Sequence, residues 1–299
     1  MLSYRHSFHA GNFADVIKHI VLVEILQHLC RKETPFDYID THAGAGLFDL
    51  DSEHAGKLQE FNDGIAKLTQ TEWPELAAYF AVLNSYNSPG HPPGKLQHYP
   101  GSPMIARHFL RAKDRAWLFE LHPADFEILQ SNVAGDRRVK VAREDGFHGL
   151  LGLLPPLSRR ALVLIDPAYE VKDDFLQVVK TCTRAWKKFA TGIYVVWYPV
   201  VQRERIDELA SRFVNSGIRN IQRFELGLTA DTAARGLTAA GLVVINPPWL
   251  LMERMSALLP RLVAALGRDD GAFFKADTLV EEQPAIDYLP KRCIQRIPN

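Results

Sequence analysis

An open, doubly wound α/β fold with a mostly parallel sheet and one inserted helical subdomain is what this sequence predicts, on three observations. Four short apolar segments each end in an acid: Phe36–Asp40, Arg115–Glu120, Val139–Asp145 and Arg160–Asp166. Helical stretches separate them, the alternation that builds parallel sheets. A glycine-rich turn, Thr41-His42-Ala43-Gly44-Ala45-Gly46, directly follows the first segment. Acids and glycines at the carboxyl ends of parallel strands lie where such sheets receive their ligands.

Taken in order, the chain opens with Arg5, His6 and His9 and then an amphipathic helix from about Ala14 to Cys30, with Ile17, Ile20, Val21, Ile25 and Leu29 on one stripe. That start does not read as a secretory signal. Two glycines follow the Phe36–Asp40 strand where the backbone must bend beneath a nucleoside ligand. The third glycine of a dinucleotide fingerprint is missing and the loop carries His42, so a nucleoside without phosphates is the better fit. About seventy residues then precede the Glu120 strand, several times an ordinary connection. Trp73–Leu83 has a helical period and Asn87–Gly94 is a loop, which predicts an inserted helical subdomain over 49–96, covering the sheet's carboxyl edge. Residues 1–48 and 97–272 make up the main Rossmann-like domain, with 1–30 as its N-terminal motif. The polar, proline-punctuated stretch 273–299 reads as a C-terminal surface extension.

The strand before Asp166 is the most apolar of the chain, and Asp166-Pro167-Ala168-Tyr169 closes it. The Asp166 carboxylate and the Pro167 carbonyl can each accept an N–H from an amino group on a planar ring, while Tyr169 stacks on the ring face. Such a site suits chemistry at the exocyclic nitrogen of adenine. Glu120 can accept from both hydroxyls of a ribose, and Asp145 from the adenine amino group of a cofactor. Singly, an Asp-Pro strand end is an ordinary turn and a terminal acid is ordinarily solvated. Asp40, Glu120, Asp145 and Asp166 in sequence are the pattern of an S-adenosylmethionine-dependent methyltransferase. The adenine N6 lone pair is drawn into its ring, so catalysis should come from aligning it with the sulfonium methyl group and polarising the amine, with Asp166 the nearest proton acceptor. No metal is needed. Asn246-Pro-Pro-Trp249 offers the same acceptor types. Its position, two strands and two helices beyond Asp166 at an expected hairpin, favours a turn and helix start there instead.

Longer motifs carry a family resemblance. Met1-Leu-Ser-Tyr-Arg-His-Ser-Phe-His-Ala-Gly-Asn12, then Ala14-Asp15 and Lys18-His19, resembles the start of the bacterial RlmJ family, also called YhiR or ComJ. These are 23S rRNA adenine-N6 methyltransferases that are also described as DNA-utilisation proteins. The likeness continues nearly end to end, through Asp40–Gly46, Tyr99–Pro103, Glu120–Pro123, Asp145–Phe147, Ile165–Pro167, Ala190–Tyr194, Trp197–Val200 and Val244–Trp249. It implies a class I methyltransferase fold and contacts to S-adenosylmethionine from Lys18, His19, His42, Ser102, Glu120, Asp145, Gly146 and Asp166, to which the glycine turn adds Gly44. It also implies Tyr4 and His6 near the target base, with 23S rRNA, a fragment of it or its precursor as the partner. One departure stands out: the family's Asp-Pro-Pro-Tyr has Ala168 at its third position here, which keeps the Pro167 carbonyl and frees one backbone torsion.

Composition is compatible with this. With 299 residues and 47% hydrophobic content, the chain can bury a full core, and no run has the length of a membrane span. Cytoplasm and a monomeric state are the default expectations.

 

Three cysteines, Cys30, Cys182 and Cys293, are far apart and lack the spacing of a disulfide framework or a zinc site. The formal net charge is +0, so nucleic acid must be met by a local patch and recognised by shape, as a structured RNA segment is. Candidate patches are Arg5 with Lys18; Arg107, Arg111, Lys113 and Arg115; Arg159-Arg160; Lys187-Lys188; and Arg203 with Arg205. Two other functions share the same pocket chemistry. One is a DNA adenine methyltransferase or a protein for using external DNA, and the other is a nucleic-acid-binding protein inactivated by the change at Ala168.

Overall fold

The structure, a computed structural model, describes residues 6–87, 96–170, 173–231 and 236–282. Its frame is an eight-stranded sheet. Five strands run parallel in the order β5 (Val139–Ala142), β4 (Arg115–Phe119), β1 (Asp37–Asp40), β6 (Ala161–Ile165) and β7 (Ile193–Val200). Beyond β7, the strand β9 (Ala239–Ile245) inserts antiparallel between β7 and β8 (Ile221–Gly227), and β10 (Phe273–Val280) pairs antiparallel with β8 at the edge. The chain leaves β1 toward β4 on one side and reaches β6 on the other, so a crevice opens beyond the carboxyl end of β1.

Helices cover both faces, which is why β6 is apolar at every position and fully buried. Its side chains divide by parity: Leu162 and Leu164 enter one core, Ala161, Val163 and Ile165 the other. The first core is closed by α1 (Phe13–Cys30), α4 (Ser102–Phe109) and α9 (Leu251–Leu266); the second by α6 (Gly146–Leu153), α7 (Asp174–Lys188) and α8 (Arg203–Val214). The remaining helix of the sheet layer is α5 (Pro123–Asn132).

Three expectations change. The helix α1 is buried all round from Phe13 to Leu26, rather than on one apolar stripe, because α3 (Ala77–Ser85), α4, α9 and β9 all pack against it. Asp15, Lys18 and His19 are therefore inside the protein. The C-terminal stretch does not begin as a surface extension: Phe273–Val280 supplies the edge strand, its backbone satisfied by β8, and residues 283–299 lie outside the described residues. Asn246 is not at a hairpin; it ends β9 and precedes α9.

Within 49–96, α2 (Glu53–Leu58) and α3 are joined by short 3-10 turns, and β2 (Leu47–Asp49) pairs antiparallel with β3 (His98–Pro100) to form the neck. The segment grips the N-terminal motif through Ile65 N–H to the Gly11 carbonyl at 2.9 Å and through the His9–Glu60 pair at 3.0 Å. Most of the Asn87–Gly94 loop lies outside the described residues.

Candidate active site

Parallel pairing aligns Asp40 with Leu118 and Leu164, so the chain just beyond β1, β4 and β6 converges at one edge. Asp40 is buried completely and accepts from the Tyr38 hydroxyl at 2.6 Å and the Ser102 hydroxyl at 2.7 Å. Burial, which penalises its charge, pushes its carboxyl up to about 6. Ser102, at the start of α4, thus supports the floor of the crevice. His42 caps that floor: its Nδ1 lies 2.8 Å from the Thr41 hydroxyl, its ring stands edge-on to Phe147, and burial brings its imidazole down to about 4.

The glycine turn is tied to the next strand end. Gly44 has φ +61°, a region glycine enters without cost, and its N–H donates to Glu120 Oε2 at 2.7 Å. Glu120 Oε1 accepts from His122 N–H at 2.6 Å, and burial raises its carboxyl above the ordinary range. Each oxygen retains a second lone pair, the acceptor capacity a ribose diol requires. Asp145 lies three residues past the end of β5 and caps α6 by accepting from Phe147 N–H at 2.9 Å. Gly146 is required sterically: a Cβ there would stand 2.0 Å from the Thr41 carbonyl.

Past β6, Pro167 is buried while Asp166 and Tyr169 are half-buried. Asp166 Oδ2 accepts from Lys18 Nζ at 2.7 Å, and Oδ1 accepts from no described residue. Tyr169 adopts φ +53°, donates its hydroxyl to the Trp197 carbonyl at 2.5 Å, and packs at 4.4 Å against Phe175. Its ring is thereby held in one orientation. His6 lies in a 3-10 turn with Nε2 2.8 Å from Asp15 Oδ2; Tyr4 lies outside the described residues. His19 Nδ1 lies 2.7 Å from the Tyr99 hydroxyl, and burial lowers its imidazole to about 3.

Three participants were not given a role by sequence reasoning. Asp15 binds Lys18 at 2.9 Å. Asp40 is legible in the sequence as the first of the four strand-end acids, without a role of its own. Trp197 sets its ring 5.6 Å from Lys18 Nζ and buries an indole N–H that has no hydrogen-bond partner among the described residues. Asp15 and Trp197 stand inside recurring motifs, the only signal for either. The buried Nε2 of His19 likewise has no hydrogen-bond partner among the described residues, although it lies 4.0 Å from Asp15 Oδ1. Two orphaned nitrogens beside a charged cluster, together with open acceptors on Glu120 and Asp166, fit a polar cofactor such as S-adenosylmethionine.

The competing Asn246 motif is excluded by strand direction. β9 runs antiparallel to β7, so Ile245 pairs with Tyr194 and Asn246 emerges at the edge opposite Asp166. Its side-chain amide donates to the Ala190 and Gly192 carbonyls at 2.8 and 2.7 Å, a structural use of both hydrogens. A groove of about 620 Å³ beside β4 and β5, lined by Trp117, Lys140, His148, Arg184 and Lys188, contains none of the predicted site residues. Most expected basic patches serve the fold: Arg107 pairs with Asp136, Arg111 with Asp114, and Arg203 with Glu225 and Asp231, while Arg160 donates to the Leu29 carbonyl. Among the described residues no metal-binding cluster is present, and no helix is long and apolar enough to cross a membrane.

The chain is similar to known proteins over most of its length. A family model described as Ribosomal RNA large subunit methyltransferase D, RlmJ, matches residues 33–277. Proteins named Ribosomal RNA large subunit methyltransferase J from Escherichia coli (strain K12) and Haemophilus influenzae (strain ATCC 51907 / DSM 11121 / KW20 / Rd) are 49% and 48% identical over 268 residues, 89% of this chain and 94% of each relative. The crystal structure of protein LPL1258 from Legionella pneumophila str. Philadelphia 1 matches with a TM-score of 0.81 and 33% identity, covering 90% of this chain and 98% of that one. With the sheet order of a class I methyltransferase and S-adenosylmethionine as methyl donor, the chain belongs to the RlmJ family of ribosomal RNA large subunit methyltransferases.

Proposed function

We propose that the protein methylates N6 of an adenine in 23S rRNA. The observation that carries this reading is Asp166 at the crevice, with Lys18 on one carboxylate oxygen and the other open, beside the Pro167 carbonyl. S-adenosylmethionine, when bound, supplies an activated methyl group on a positively charged sulfur. Glu120 would hold its ribose, Asp145 and Gly146 its adenine end, and Lys18, His19, His42, Gly44 and Ser102 would shape the remaining wall. Asp166 and the Pro167 carbonyl would accept the two N–H bonds of the target amine, align its lone pair, and leave Asp166 to take the proton. Tyr169 would pack on the base once it leaves its helix, with His6 at the entrance.

The segment 49–96 is proposed as the subdomain that covers this crevice, since it already binds the N-terminal motif. We further propose the cytoplasm as its compartment, with its RNA, and the monomer as its state. Mapping N6-methyladenine in 23S rRNA from cells with and without the gene tests the reading, with transfer to a purified rRNA fragment as its complement. A site lost with the gene and restored by the protein is expected. Methylation of DNA alone, or cofactor binding without transfer to any adenine, would replace this reading.

A further inference from the structure

Asp15 sits at the centre of a chain of charges. Its carboxylate is 1% exposed, in a helix that also buries Lys18, His19 and Glu24. Oδ2 accepts from Gly11 N–H at 2.9 Å and lies 2.8 Å from His6 Nε2; Oδ1 lies 2.9 Å from Lys18 Nζ. Lys18 in turn reaches Asp166 Oδ2 at 2.7 Å. Asp15 is not needed as the helix cap, because Asn12 accepts from Asp15 N–H at 3.0 Å. A buried carboxylate whose one local bond is to the Gly11 N–H is expensive to keep unless its charge is also used elsewhere. An ammonium held by Asp166 alone would be free to swing across both of its oxygens. Anchored from behind by Asp15, it engages Oδ2 and leaves Oδ1 open.

We propose that Asp15 is a positioning residue for methyl transfer: through Lys18 it reserves one oxygen of Asp166 for the target amine, and through His6 it ties that setting to the N-terminal segment. The inference rests on the reading of Asp166 as amine acceptor. The groups facing Lys18 are Asp15 and His19 on α1, His6 in the N-terminal turn, Tyr79 on α3, Asp166 after β6 and the Trp197 ring on β7. Burial alone would lower the Lys18 ammonium, and the two carboxylates together hold it raised.

The test is Asp15→Asn, nearly isosteric, assayed by single-turnover methylation of an rRNA fragment. Turnover should fall about 10–100-fold, the scale of a misplaced reacting group, with S-adenosylmethionine affinity changed less than about threefold. With one carboxylate gone, activity should also decline at alkaline pH as Lys18 loses its proton. Adding Lys18→Arg, which cannot deprotonate, should remove that decline. A merely structural role would move neither limb. If Asp15→Asn does not fold, Asp15→Glu, which keeps the charge but displaces it from Lys18, replaces it and should also lower turnover with cofactor affinity little changed. Wild-type turnover in a folded variant, an unchanged alkaline profile, or cofactor affinity falling in step with turnover would each overturn the proposal. Absence of transfer by the wild-type protein would instead remove the functional reading beneath it.

Discussion

Replacing Asp166 by asparagine separates chemistry from folding. The substitution keeps the shape of the side chain but replaces one acceptor oxygen with a donor. Lys18 loses its partner at 2.7 Å but keeps Asp15 at 2.9 Å, so no buried charge is left alone. The stability cost should therefore lie well below the roughly 3–5 kcal/mol of a fully orphaned buried charge. Turnover should suffer more: removing a preorganised polar group at a reacting centre costs about 10²–10³ in rate, or about 2.7–4 kcal/mol. Single-turnover transfer of a labelled methyl group to an rRNA fragment measures the loss of turnover, and urea unfolding measures the stability cost. Asn246→Ala, at the opposite sheet edge, should leave transfer near wild type. Near-normal turnover in Asp166→Asn combined with its loss in Asn246→Ala would refute the assignment.

Other changes probe the crevice wall. Glu120→Ala should weaken S-adenosylmethionine binding by roughly 1–3 kcal/mol in calorimetry, since ribose hydroxyls and the Gly44 and His122 N–H groups would go unpaired; tight NADH binding with no response to S-adenosylhomocysteine would contradict the cofactor site. Gly146→Ala should destabilise the fold by at least about 1–3 kcal/mol, because its Cβ would overlap the Thr41 carbonyl; an unchanged melting temperature would show that this turn relaxes freely. Ala168→Pro should leave cofactor affinity unchanged and turnover level or modestly higher, with a benefit of about 0.4–1 kcal/mol; a natural chain that is inert until this change is made would mark it as a binding protein. Acid should destabilise the protein. His42 and His19 titrate near 4 and near 3 when folded but at 6.5 when unfolded, so unfolding at about pH 5 takes up two protons. Asp40, near 6 when folded and 3.8 when unfolded, releases one. The net proton predicts a loss of up to about 1.4 kcal/mol for each unit that pH falls in this range, read by urea titrations; stability rising instead would show that the histidines are charged in the folded state.

Local pattern was enough to determine the frame. Short apolar strands ending in acids, a glycine turn that bends back, and a long connection before Glu120 predicted a parallel sheet with its ligand edge, because burial on both faces leaves a continuous apolar run that a sequence displays directly. The same edge positions brought Asp40, Glu120 and Asp166 together once β1, β4 and β6 were parallel neighbours. Three matters were decided only in three dimensions. Strand direction placed Asn246 opposite Asp166, since residue type is blind to whether a strand runs up or down the sheet. The strand Phe273–Val280 found its backbone partners in β8, a long-range pairing with no local signature. Burial of α1 on every side turned Asp15 and Lys18 from surface-like charges into a buried pair aimed at Asp166, because neighbours remote in sequence close its polar face and leave its charges no solvent to meet.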